Sequence, residues 1–227
     1  MINMSYIWDE FNIKTFPAET IVYRNGDYCP ELSTLENKPI HKKYDLPVHI
    51  IYIGEIAGKC RLNIELGADN QNIIISVNVK NKKPAFFDIF IKNAGKNSEI
   101  KANILMHNMG SELDYDCKAR HLYKNTAIFV KNKLFAGKNT ISKLSGVAII
   151  DKDCPECKSD MSFVAMIEQG AKTEFIPSQR IASEPTTADH SAAIYKPTNM
   201  QINYLRSAGL SSMEIKDVMR EAFLNDY

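Results

Sequence analysis

Alternation of apolar and polar residues, with a period of two, runs through most of this sequence and constrains its fold more than any other feature. Nothing of comparable length between these runs has a helical period. Gly, Asn, Asp and Lys-Lys occupy the connections, as they do in turns. The alternating segments are "ETIVYR", "VHIIYIGEI", "RLNIEL", "NIIISVNVK", "AFFDIFIKN", "SEIKANILMHN", "TAIFVKNKLF", "SGVAII" and "MSFVAMIEQ". The pattern predicts a mainly β protein.

A short recurrent motif narrows the type of β fold. "AGKC" at 57–60 and "AGKN" at 94–97 and 136–139 each separate two alternating runs. Similar residues at successive corners are typical of a solenoid, whose coils repeat one supersecondary unit. An antiparallel sandwich with coincidentally similar turns is the alternative that the pattern alone leaves open.

The end of the chain has helical signals instead. "TNMQ" (198–201) and "SSME" (211–214) each fit a capping box, in which the first residue caps a helix and the fourth caps back. Gly209 lies between the two and predicts the break. The second helix places Ile215, Val218, Met219, Ala222 and Phe223 on one apolar stripe. Two short helices are therefore expected within residues 198–224.

Charge and cysteine content exclude several classes of function. The chain has 28 basic and 27 acidic residues, for a net charge of +1, so it offers no electrostatic reason to bind nucleic acid or an anionic membrane. No apolar run reaches the length that spans a bilayer, and the start of the sequence does not resemble a secretory signal. Five cysteines, an odd number, argue against a disulfide framework. We expect a cytoplasmic protein.

The C-terminal sequence "HSAAIYKPTNMQINYLRSAGLSSMEIKDVMREAF" (190–223) resembles the signature of the SufB/SufD family, the scaffold proteins of iron–sulfur cluster assembly. Upstream, "HLYKNT", "AGKN" and Gly146 resemble the preceding family block, and Pro177 lies where the family has a proline. The residues that match the C-terminal signature are His190, Ala192, Gln201, Tyr204, Leu205, Arg206, Ser207, Gly209 and Phe223.

The resemblance implies a fold and a division of the chain. It implies a right-handed parallel β-helix followed by a small C-terminal helical domain, which favours the solenoid over the sandwich. On this basis we divide the chain into an N-terminal cap segment (1–47), a β-helix core (48–185) and a C-terminal helical domain (186–227).

The resemblance also implies partners. In the family, the C-terminal helices dock an ABC-type ATPase, here a SufC-like subunit, and two scaffold chains pair through their β-helices. We therefore expect a homodimer or a pair with a related SufB/SufD chain. No Walker-type loop or other catalytic motif occurs, so we expect no enzymatic activity in this chain. The docking residues implied are Tyr204, Leu205, Arg206, Gly209 and Leu210.

Cluster chemistry has three candidate residues. His190 matches a junction histidine that SufD-type members associate with cluster building, and imidazole is a competent iron ligand. Cys154 and Cys157 form "CPEC", a spacing that suits a metal, a redox pair or an inert exposed turn. The position of the reactive cysteine of SufB-type members falls between Asp160 and Ser162 and holds no cysteine. A transient iron–sulfur cluster or iron is the cofactor to expect, if any.

A second interpretation of the function remains open. Many β-helix proteins bind or process polysaccharides, usually with carboxylates and aromatic residues along one groove. His107 and His121, within or beside alternating runs, are expected to be hydrogen-bonded surface residues.

Overall fold

Strands make up most of the protein, as the alternation predicts. A computed structural model describes residues 19–225, and the structural statements below concern those residues. The strands are β1 (Thr20–Arg24), β2 (Asp27–Tyr28), β3 (Val48–Glu55), β4 (Gly58–Leu66), β5 (Asn72–Asn81), β6 (Ala85–Asn93), β7 (Glu99–Asn108), β8 (Glu112–His121), β9 (Ala127–Ala136), β10 (Ile141–Ile150), β11 (Cys157–Ile167), β12 (Lys172–Ile181) and β13 (Thr186–Tyr195). The α-helices described are α1 (Asn199–Ser207) and α2 (Ser212–Asn225), and a short 3-10 helix spans Pro30–Leu32.

Two sheets form by alternate use of successive strands. One has the order β13-β11-β9-β7-β5-β3-β1-β2, and the other has the order β12-β10-β8-β6-β4. Every pairing is parallel except that of β1 with β2. Each coil thus gives one strand to each sheet, which is a parallel β-solenoid of about six turns. Because its neighbouring strands are parallel, the antiparallel sandwich is excluded.

The core lies between the two sheets, where like side chains stack from coil to coil. Ile73 pairs with Ile100, and Ile100 with Ile128; all three are 0 % exposed. Tyr52, Phe87 and Tyr115 form an aromatic column whose ring centroids lie 5.9 and 6.0 Å apart. Burying each such side chain contributes about 1.5–3 kcal/mol, so the stacked interior is the main source of stability.

The corners of the solenoid explain its turn residues. Asn70, Asn97 and Asn125 have φ of 55°, 55° and 53°, a left-handed conformation that asparagine tolerates well. Their side-chain amides stack in a ladder, with Asn125 Nδ2 donating to Asn97 Oδ1 at 2.7 Å and Asn97 Nδ2 to Asn70 Oδ1 at 3.2 Å. The three "AGK" segments also lie at corners. They do not form one column, because 57–60 and 136–139 leave the eight-stranded sheet whereas 94–97 returns to it.

Both predicted capping boxes are present and begin the two helices. Thr198 and Gln201 cap each other at α1, and Ser211 and Glu214 do so at α2. Gly209, with φ of 89°, separates the helices.

Helix α2 packs on the outer face of the eight-stranded sheet. Its buried residues Ile215, Met219 and Leu224 contact side chains of β7, β9 and β11. Ala222, which the predicted stripe included, stays exposed. The solenoid includes Thr186–Tyr195 as its last strand, which the proposed domain boundary had assigned to the helical domain.

Candidate functional site

The last coil, β12 and β13, is the open end of the solenoid. Both are outermost in their sheets, and within residues 19–225 no further strand pairs with either. Parallel partners present their side chains on the same side, so Ile181 and Ile194 face the direction of the core. They are nevertheless 44 % and 47 % exposed, because no coil covers them. This open end combines an apolar surface with two rows of unpaired backbone groups.

His190 lies on this open end. It pairs with Met161, which is 2 % exposed and points into the core, so His190 points to the same side but is exposed. The preceding residue, Asp189, points to the opposite face of the strand because side chains alternate. The carboxylate of Asp189 therefore does not orient the imidazole. An exposed imidazole at the open end is accessible to a second chain.

The two cysteines of "CPEC" lie apart from His190. Cys157 pairs with Thr186, and His190 is four residues further along β13, which places it about 13 Å away at ~3.3 Å per residue. Among residues 19–225, no three His, Cys, Asp or Glu side chains are grouped to hold a metal ion. The three candidate cluster ligands therefore lie at two separate positions and do not form one site.

The side chains of Cys154 and Cys157 are buried, although Lys152, Asp153 and Glu156 at the same corner are exposed. The two cysteines are 3 % and 0 % exposed and pack with Ile150. The thiol of Cys157 lies 3.3 Å from the carbonyl oxygen of Tyr123 in the preceding coil. The expectation that these two cysteines are exposed is wrong, because the corner folds both thiols inward.

Sequence patterns did not predict a buried polar cluster that lies beside these cysteines. His121 is 0 % exposed, and its Nδ1 lies 2.7 Å from Thr126 Oγ1, which lies 3.2 Å from Cys157 Sγ. Burial lowers the pKa of His121 to about 4, so the imidazole is neutral at pH 7. The prediction of a surface histidine was wrong. The preceding coil has a similar polar pair at the same corner. Asn93, the register partner of His121, donates from Nδ2 to the backbone oxygen of Ser98 at 3.0 Å.

His107 departs from the surface prediction in a similar way. Its Nε2 is buried without a hydrogen-bond partner, and burial, with Arg220 and Lys80 nearby, lowers its pKa to about 4. It too is neutral at pH 7.

The helical pair presents the second exposed apolar surface. Met200, Tyr204 and Met213 are 82 %, 72 % and 75 % exposed. Leu205 and Leu210, by contrast, are partly buried and pack against the cluster beneath α2. Of the residues that the resemblance implied for docking, Tyr204, Arg206 and Gly209 are exposed, whereas the two leucines support the helices. Sequence patterns did not predict Met200 and Met213 as docking residues.

These features define a class: a parallel β-solenoid with an uncovered last coil and a capped helical pair on its flank. The family model for the SufBD core domain of SUF system FeS cluster assembly matches residues 59–223. The chain belongs to the SufB/SufD family, and its role lies in iron–sulfur cluster assembly by the SUF system. The match decides against the polysaccharide interpretation. No individually curated protein matches the chain.

The helices also bear on the membrane question. No helix within residues 19–225 has both the length and the apolar character needed to cross a bilayer.

Proposed function

We propose that this protein is a non-catalytic scaffold of cluster assembly that pairs through its last coil and docks an ABC-type ATPase through its helices. The observation that carries the proposal is the presence of two exposed apolar surfaces, one on the open end and one on the helical pair. A scaffold that joins a second scaffold chain and a motor needs two such surfaces. The ATP hydrolysis then belongs to the partner. The five unpaired cysteines suit the reducing cytoplasm, where we place the protein.

Pairing through the open end is supported by the backbone of β12 and β13. Each is a ten-residue edge strand on which alternate residues leave backbone groups unpaired. A second copy or a related SufB/SufD chain would continue the sheets. The apolar side chains Ile181 and Ile194 would be buried by the same contact. A solenoid end left open in solution is prone to uncontrolled association, so a specific partner also protects it.

The pairing test uses one exposed aliphatic residue at the open end and one near the opposite end of the solenoid. Ile194→Asp is expected to convert the dimer to a monomer in light scattering, because the charge would be buried in the interface. Leu46→Asp is the matched control, since Leu46 is 51 % exposed and lies just before β3, near the opposite end of the solenoid. A dimer that survives Ile194→Asp would refute the assignment. So would wild-type protein that is monomeric at micromolar concentration when no related chain is encoded nearby.

ATPase docking is supported by the exposed side chains of α1 and the start of α2. Tyr204 is an amphipathic anchor of the kind that dominates interfaces, and Met200 and Met213 add adaptable apolar surface on the same helical pair. Arg206, two residues further along α1, is exposed and supplies a charge. Leu205 is unsuitable as a probe, because its replacement would disturb the packing beneath α2.

The docking test compares two exposed tyrosines. Tyr204→Asp is expected to abolish co-purification with a SufC-like ATPase while the circular dichroism spectrum stays unchanged. Tyr123→Asp is the matched control, since Tyr123 is 46 % exposed at a corner of the solenoid. Unchanged capture by Tyr204→Asp would show that the ATPase binds elsewhere.

Iron or a nascent cluster would bind at the open end as cargo. His190 alone cannot hold a cluster, so the remaining ligands would come from the paired chain. Anaerobic reconstitution with iron and sulfide is expected to give an absorption band that His190→Ala weakens. The double Cys154→Ser, Cys157→Ser variant should keep the band, because these thiols lie about 13 Å away along the strands. A band that depends on the cysteines and not on His190 would overturn this assignment.

A further inference from the structure

The corner between β10 and β11 brings two thiols together. Pro155 and Glu156 are the central residues of a tight turn, and Glu156 has φ of 62°, as the third residue of a type II turn requires. The first and fourth residues of such a turn, here Cys154 and Cys157, have Cα atoms less than about 7 Å apart. Disulfides span Cα separations of about 4.4–6.8 Å. The backbone therefore already holds the pair at a separation that a disulfide can bridge.

Both thiols also face the same place. Cys154 Sγ lies 3.8 Å from the carbonyl oxygen of His121, and Cys157 Sγ lies 3.3 Å from that of Tyr123, both at one corner of the preceding coil. The two side chains belong to one buried cluster with Ile150. Because they point to a common space rather than to opposite faces, little rearrangement separates the dithiol from the disulfide.

We propose that Cys154 and Cys157 form a dithiol site that reacts with low-molecular-weight disulfides and closes to a disulfide across the turn. The Cys154 thiolate attacks one sulfur of the substrate RSSR, forming a mixed disulfide and releasing RS⁻, which takes up a proton as RSH. The Cys157 thiolate then attacks Cys154 Sγ and releases the second RSH. The protein loses two electrons and two protons, and RSSR gains them.

The surroundings of the pair allow the oxidised form to fold. Oxidation removes the S–H donors that approach the carbonyls of His121 and Tyr123. The Thr126 hydroxyl donates to the same Tyr123 oxygen at 3.0 Å, so that carbonyl keeps a partner. Asp151 N–H likewise approaches the His121 oxygen at 3.4 Å. The reaction depends on pH, because burial raises the pKa of Cys154 and keeps its thiol protonated at neutral pH. Exchange should therefore accelerate as the pH rises from 7 to 9.

The other cysteines serve as internal controls. Cys29, Cys60 and Cys117 each lie away from a second cysteine in sequence, and burial raises the pKa of Cys117 to about 12. Cys60 is partly exposed and is expected to form at most a reversible mixed disulfide.

The experiment uses the full chain, reduced and then incubated anaerobically with glutathione disulfide at pH 7 and pH 9. Titratable thiols in denaturant are expected to fall from five to three, or to two in chains whose Cys60 also carries a glutathione. Chains without an adduct should be about 2 Da lighter, and a peptide bridged between Cys154 and Cys157 should appear. Cys157→Ser should instead keep a glutathione adduct on Cys154, because no second thiol resolves it. Cys154→Ser should show no adduct that is resolved internally. Five thiols retained by the wild type at pH 9, or a bridge to any other cysteine, would overturn the proposal.

Discussion

The middle coils and the last coil of the solenoid have the same backbone geometry but opposite environments. In β7 the inward residues Ile100, Ala102, Ile104 and Met106 are at most 1 % exposed, because coils lie on both sides. In β12 and β13 the inward residues are half-buried or exposed, because one side is missing. In a solenoid each coil is stabilised chiefly by its neighbours. The same alternating pattern therefore gives a buried core in the middle coils and an exposed apolar surface on the last coil.

The largest test of this difference replaces one of two phenylalanines that contact each other. The rings of Phe163 in β11 and Phe175 in β12 lie 5.9 Å apart, but Phe163 is 0 % exposed and Phe175 is only partly buried. Phe163→Ala is expected to lower the free energy of unfolding by about 3–5 kcal/mol, through lost transfer energy and a residual cavity. Urea unfolding followed by circular dichroism measures the loss.

Phe175→Ala is the matched control for that measurement. Its cost should be clearly smaller at low protein concentration and should grow with concentration, because pairing would bury the ring. Equal and concentration-independent costs would show that the last coil is as well covered as the middle ones.

A second test uses the pH dependence of the polar corner inside the solenoid. Burial lowers the pKa of His121 to about 4, against about 6.5 in the unfolded chain, so the unfolded state takes up the proton first as the pH falls. Stability is full above pH 6.5 and is lost as the pH falls towards 4, by on the order of 3 kcal/mol for this group.

Asparagine occupies the same register position one coil earlier, as Asn93, so His121→Asn is the natural variant. Its unfolding free energy should fall less between pH 7 and pH 4.5 than that of the wild type. Some dependence should persist, because the pKa of His107 is also lowered to about 4. If the unfolding free energy of both proteins changed equally with pH, His121 would not be buried in its neutral form.

The smallest expected effect concerns the asparagine ladder. Asn97 has a ladder neighbour on each side, whereas Asn125 bonds only to Asn97 within the ladder. Asn97→Ala should cost about 1–2 kcal/mol for the left-handed backbone, plus the two lost bonds. Asn125→Ala should cost less, and Asn97→Gly should recover the backbone part. Thermal unfolding of the three variants checks the order, and a harmless Asn97→Ala would contradict it.

Local signals determined the parts of this protein that depend on neighbouring residues in the chain. The strand alternation, both capping boxes and the break at Gly209 were predicted, because each needs only a few adjacent residues. The C-terminal signature was sufficient to predict the family. The position of His190 near the junction followed from the same match.

Only the tertiary structure decided what depends on stacking between coils. Register fixed that His190 and Cys157 lie about 13 Å apart, although both are near the same end of the sequence. Burial of His121 and of the two "CPEC" thiols arises because one coil covers the corner of the next. The exposure of Ile194 arises because no coil covers it within residues 19–225. The alternating pattern of a single strand is the same in both cases, so the sequence determined which residues face inward, and the coil above or its absence decided whether they are buried.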